Sequence, residues 1–232
     1  MKRNATLLFL LLAASLQAQS FSFGNETLSY SIRHNLFPGT IGSMRYQTRD
    51  AGDCWQVDAT LEAAVGNIYT LDCQYGTVLQ KDAALTPVSA TRSQVEKKYW
   101  AKGKYDWSAP GTVHLDVTKS TRPPRDETLS WPGTVRDLLG MLWWLRTLDY
   151  DQPQLDPGPN ALLLDHDALP VVIASWQKKS FSFKGQQIPV VEVVVKQDGK
   201  EALRMTLTDD SRRKPLRFSL SLPLGTIKGS LQ

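Results

Sequence analysis

Three groups of residues in this sequence have types and spacings that could do chemistry. Asp165-His166-Asp167 comes first. In an extended segment the two carboxylates point to one side, and with the imidazole they offer oxygen and nitrogen ligands to a divalent cation. The triplet also lies between the apolar runs Ala161–Leu164 and Leu169–Val171, where turn residues collect without any ligand. Asp209-Asp210, followed by Arg212-Arg213-Lys214, is the second group. Paired carboxylates suggest acid–base work, but a charged hairpin tip has the same composition. The third group is Trp131, Trp143 and Trp144, which read either as core or as a surface that stacks on a sugar or faces lipid. His34 and His114 sit in no recognisable base motif. No nucleophile elbow, His-Glu-x-x-His or phosphate-cradling glycine loop occurs. The residues call for no metal and no cofactor.

The elements that would carry these groups are mostly strands. Leu28, Tyr30 and Ile32 alternate with polar neighbours, as do Trp55, Val57, Ala59 and Leu61. Each reads as a half-buried strand with one wet face. A strand is expected from Ile41 to Thr48, and Ala63–Leu71 fits a short helix or a strand. Residues 88–107 suggest two polar strands around Lys102-Gly103, and Val113–Val117 another. Val171–Phe183 reads as a long strand, and Leu216–Leu222 alternates strictly. Val190–Lys196 and Ala202–Thr208 flank Asp198-Gly199, a hairpin signal. A three-residue, bulged turn would set Val191, Val193 and Val195 opposite Leu207, Met205 and Leu203, keeping one face apolar.

Thr134–Leu148 breaks the pattern. Val135, Leu138, Leu139, Leu142 and Leu145 follow helical spacing, with Thr134 as the expected cap. Met141, Trp144 and Leu148 form a second apolar row. A helix with two apolar rows must meet sheet on more than one side, or face a ligand.

Composition sets the outer limits. The 232 residues are 41% hydrophobic and 22% charged, a globular balance. The net charge of +4 is too small for nucleic acid to be an expected partner. Lys2 and Arg3 precede an apolar run, Ala5–Leu16, and Ala18 supplies a small residue before Gln19. That run is too short for a bilayer, which needs about 20 residues, so residues 1–18 read as a secretory signal peptide. Residues 19–232 then form one β-rich domain with no membrane span. Cys54 and Cys73 become a disulfide candidate in an oxidising compartment. The bridge would close a loop of roughly 20 residues and stabilise by ~3 kcal/mol, provided the Cα atoms lie within ~7 Å.

The C-terminal stretch carries a family resemblance. Leu207-Thr208-Asp209-Asp210, Pro215, Leu224-Gly225-Thr226-Ile227 and Leu231 resemble the end of the domain of unknown function 3108 family, a group of exported bacterial proteins. Asp137-Leu138-Leu139 with Leu145-Arg146-Thr147, the strand at Leu28–Ile32, and Phe183–Val195 fit the same pattern. The resemblance implies a mainly β fold, a strongly curved antiparallel sheet or half-barrel wrapped around one central helix. That shape is similar to the half-barrels of periplasmic lipoprotein carriers. No catalytic residues come with the family. Ala18-Gln19 also resembles the leader ending of exported Bacteroidetes proteins, which implies a Gram-negative periplasm. The leading expectation is therefore a non-catalytic periplasmic protein. It would hold a lipid or other envelope component in an apolar groove at Met141, Trp144 and Leu148. A structural or partner-binding envelope protein with a filled core is the alternative, and a carboxylate-dependent hydrolase the third.

Overall fold

Alternating apolar and polar side chains leave most of the strands one face to bury, and they bury it toward the inside of a single coiled sheet. The computed structural model describes residues 23–152, 155, 158–164, 166–222 and 225–232. The chain first runs as a meander of β1 (Glu26–His34), β2 (Gly42–Ala51), β3 (Cys54–Val65), β4 (Tyr69–Gln80), β5 (Pro87–Glu96), β6 (Tyr99–Ala109), β7 (Thr112–Lys119) and β8 (Arg122–Ser130). A short β9 (Thr134–Arg136) leads into the helix α1 (Leu138–Leu145). The second half comprises β10 (Asn160–Leu164), β11 (Asp167–Phe183), β12 (Gln186–Gln197), β13 (Lys200–Thr208), β14 (Pro215–Leu222) and β15 (Gly225–Leu231). The last strand returns to pair with the first, Tyr30 opposite Leu231. The order across the 15-stranded sheet is β8 to β1, then β15 down to β9. All neighbours are antiparallel except β9 and β10, which run parallel. The expected curved β architecture around one helix is what the chain adopts.

The sheet's two ends approach each other. Ala161 and Leu163 of β10 and Val135 of β9 pack with Val113, Leu115 and Val117 of β7 in a small second core. The Val135 N–H donates to the Pro110 carbonyl at 2.9 Å, and the Trp107 indole donates to the Val135 carbonyl at 2.9 Å. The main core surrounds α1 and draws on β1–β4 and β11–β14.

Register follows the apolar faces. Val191, Val193 and Val195 stand opposite Leu207, Met205 and Leu203, as face consistency requires. The device differs from the expected one: Asp198 and Gly199, both at positive φ, make a two-residue turn. The extra residue enters as a bulge in β13, between the Val195–Leu203 and Lys196–Glu201 pairs. Residues 88–107 also differ, because the hairpin turns at Lys97-Lys98 and Gly103 lies inside β6 opposite Val117. Close approach explains that glycine, since a Cβ there would stand 2.5 Å from the Tyr105 hydroxyl.

Cys54 and Cys73 cannot form the expected disulfide. Cys54 pairs with Gln80, whereas Cys73 pairs with Leu61, seven residues further along β3. At ~3.3 Å per residue that is roughly 23 Å, far beyond bridging reach. Seven is odd, so the two side chains also leave opposite faces. Both thiols are free, Cys54 half-buried and Cys73 buried. Burial pushes the Cys73 thiol up to about 11. Alkylation of denatured, unreduced protein should therefore label both cysteines; a protected pair would refute this register.

Candidate functional site

The helix is set in place from both ends by buried charge. It begins later than its apolar spacing suggested, because Thr134, Val135 and Arg136 are extended and pair with Asn160, Ala161 and Leu162. Two β-branched or long side chains in a row suit a strand. Asp137, not Thr134, is the cap, and its carboxylate accepts from the Leu139 and Gly140 N–H groups at 3.2 Å. The Thr77 hydroxyl of β4 donates to the same carboxylate at 3.0 Å. Burial raises the Asp137 pKa to about 6, against these hydrogen bonds, which pull it down. At the other end the Tyr150 hydroxyl donates to the Leu145 carbonyl at 2.6 Å, and the Thr147 hydroxyl to that of Trp144 at 2.8 Å. These satisfy carbonyls that a helix end leaves open.

Everything from Leu139 to Leu145 is buried, so α1 has no wet face. The Trp143 indole donates to the Thr48 hydroxyl of β2 at 3.1 Å, and the ring packs on Tyr46 with centroids 5.2 Å apart. Phe23 lies 6.4 Å from the same ring. Two arginines go in with the helix. Arg136 is 2% exposed, donates to the Leu85 carbonyl at 3.0 Å, and lies over the Trp144 ring at 4.7 Å. Burial lowers its pKa to about 10. Arg146 is fully buried and ion-paired with Glu26. Arg146 stood out in the sequence only as part of the family pattern Leu145-Arg146-Thr147, and Arg136 did not stand out at all. The available signal was their position: charges at 136, 137 and 146 bracket a run that is apolar all round.

One side of this helix does not close completely. Met141, Trp144, Val171, Ile173, Val195 and Leu155 line a pocket of about 240 Å³ between α1, β11, β12 and the segment before β10. Its polar wall includes Asn160, whose amide donates to the Gly158 carbonyl at 3.0 Å. Of the three expected groove residues, Met141 and Trp144 line this pocket. Leu148 does not; it is half-buried and packs on the main core. Trp143 is core, 1% exposed, and Trp131 packs against the second core.

The charged groups of the sequence lie elsewhere. Asp210 accepts from the Arg212 and Arg213 N–H groups and the Thr208 hydroxyl, each at 2.9 Å, so this cluster is a hairpin tip. Its backbone serves the core, since Arg146 donates to the Arg212 and Arg213 carbonyls at 3.0 and 3.1 Å. Asp165 lies outside the described residues, and His166 stands 3.7 Å from Asp167. Among the described residues no three His, Cys, Asp or Glu side chains are placed to hold a metal. None of their helices is long and apolar enough to cross a membrane. His114 pairs with Asp126 at 3.4 Å on the surface, and His34 accepts from the Leu36 N–H at 3.2 Å.

What the arrangement offers is a recess lined by apolar side chains with Asn160 in its polar wall. In the surrounding scaffold buried Asp137 caps the helix, Arg136 reaches a carbonyl, and Arg146 reaches Glu26 and two carbonyls. No curated protein matches the chain in sequence. Its fold is similar to a crystal structure of a beta-barrel-like protein of the domain of unknown function DUF1849 from Brucella abortus. The TM-score is 0.57 at 12% identity, over 90% of this chain and 96% of that one. The protein of unknown function family DUF3108 matches residues 29–232, from β1 through β15, and the chain belongs to that family.

Proposed function

We propose that this protein is an exported, non-catalytic component of the bacterial envelope that holds the apolar part of a lipid or similar hydrophobic molecule beside α1. The pocket at Met141 and Trp144 carries this reading. Its 240 Å³ exceeds the ~150 Å³ apolar cavity that admits benzene. It is smaller than the ~300–1,000 Å³ of a site that engulfs a whole ligand. It therefore suits a ring or the end of an acyl chain, with the remainder of the molecule outside. Secretion rests on the basic and apolar leader ending at Ala18. N-terminal sequencing of envelope material should give a chain starting at or near Gln19.

A fluorescent fatty acid tests the site. The wild type is expected to raise the probe's emission on binding, and Trp144→Ala to weaken binding by about tenfold, or ~1.4 kcal/mol. Val195→Phe, which fills the same pocket from β12, should abolish binding while the chain stays folded. A folded wild type that binds no probe would remove the hydrophobic-ligand reading and favour a structural or partner-binding envelope protein.

A further inference from the structure

Two rungs of side chains cross the face of the sheet turned away from α1. In the first, Arg33 of β1 stands opposite Lys228 of β15, Lys228 opposite Ser219 of β14, and Ser219 opposite Arg204 of β13. In the second, Ser230 stands opposite Arg217, Arg217 opposite Thr206, and Thr206 opposite Glu192. Adjacent rungs lie about 7 Å apart and adjacent strands about 4.8 Å. Together with Lys179 and Phe181 of β11 these residues line a concavity of about 520 Å³.

Its charges are unevenly compensated. Glu192 takes Lys179 at 2.7 Å and Arg204 at 2.9 Å, and Glu201 also pairs with Arg204. Among the described residues no carboxylate pairs with Arg33, Lys228 or Arg217, and all three are exposed. Arg33 and Lys228 are a like-charge pair directly across strands, an arrangement that costs stability. Arg217 is held over the Phe181 ring at 4.6 Å, which fixes its fork above the hollow. Between the cations lie three hydroxyls, Ser219, Ser230 and Thr206, beside Phe218 and Gly229.

We propose that this concavity binds a phosphate-bearing anion. A phosphate group brings close to two negative charges and three acceptor oxygens. Three uncompensated cations outweigh those charges, three hydroxyls can each serve one acceptor oxygen, and an arginine fork suits phosphate geometry. The volume lies in the range of small-molecule sites. A bound anion would turn the repulsion between Arg33 and Lys228 into shared attraction. The site shares no residue with the apolar pocket and stands or falls independently of it.

Calorimetry at low ionic strength tests this with inorganic phosphate, pyrophosphate and phosphatidylglycerol vesicles. Pyrophosphate is expected to bind the wild type, about tenfold weaker to Arg217→Gln and to the Arg33→Gln/Lys228→Gln pair, with affinity falling as salt rises. Vesicle binding that the same substitutions abolish, with the soluble anions silent, would support the proposal and place the phosphate on a lipid. Absence of binding to all three would overturn it, as would equal binding by wild type and variants. The paired variant should melt no lower than the wild type, because it removes a repulsion. A clear drop in its Tm would make the two cations structural and end the proposal.

Discussion

Replacing Arg146 with methionine is expected to destabilise the fold by about 3–5 kcal/mol, the cost of stranding one partner of a buried ion pair. Arg146 is 0% exposed. Its guanidinium reaches Glu26 of β1 and the carbonyls of Arg212 and Arg213 in the turn between β13 and β14. It also lies over the Phe23 ring at 4.6 Å and the Trp143 ring at 5.2 Å. One side chain thus ties the helix end to the first strand and to a turn near the end of the chain. Methionine fills the stem's volume but leaves one carboxylate and two carbonyls without their donor. Urea unfolding measures the loss. Glu26→Gln added to Arg146→Met should recover part of it, since the stranded charge is then gone. A single substitution costing under about 1 kcal/mol would show that water reaches Glu26 and that the pair is a surface one.

Asp137 should make stability fall as pH rises through the mildly acidic range. Burial lifts its pKa from 3.8 to about 6 in the folded chain, so the folded state holds this proton more tightly than the unfolded state. The sign follows: the contribution is fully present below 3.8 and is lost as pH climbs through about 6. At 1.36 kcal/mol per pKa unit the swing is about 3 kcal/mol. Asp137→Asn keeps a cap oxygen for the Leu139 or Gly140 N–H and does not titrate. The wild type's stability relative to this variant should therefore drop by about 2 kcal/mol between roughly pH 4 and pH 7. A difference that stays flat with pH would mean the carboxylate is solvated or already ionised at low pH. Asp137→Ala should cost a further ~1 kcal/mol by removing the cap.

The sequence by itself determined the strands that alternate clearly, such as Leu28–Ile32, Trp55–Leu61 and Leu216–Leu222, with their inward faces, and the presence of one helix, because each follows from local period. Alternation at Leu28–Ile32 or Leu216–Leu222 leaves a strand no choice of face. The pairing of Val191, Val193 and Val195 with Leu207, Met205 and Leu203 followed from the same rule. Even the embrace of α1 was implied by two apolar rows that no single sheet face could bury. The tertiary structure alone decided what depends on distance. Cys54 and Cys73 are neighbours in sequence terms, yet the β3–β4 register holds them roughly 23 Å apart on opposite faces. Thr134–Arg136 has helical spacing, but an open parallel edge on β10 gave those residues strand hydrogen bonds instead. Arg136 and Arg146 are ordinary surface residues by composition. They are buried because the helix they flank is enclosed on every side, so its ends must enter the core and carry their charges with them. The cationic hollow likewise exists only across β1, β15, β14 and β13, where a chain's first strand meets its last. No window along the sequence brings Arg33 beside Lys228; only the closing of the sheet does.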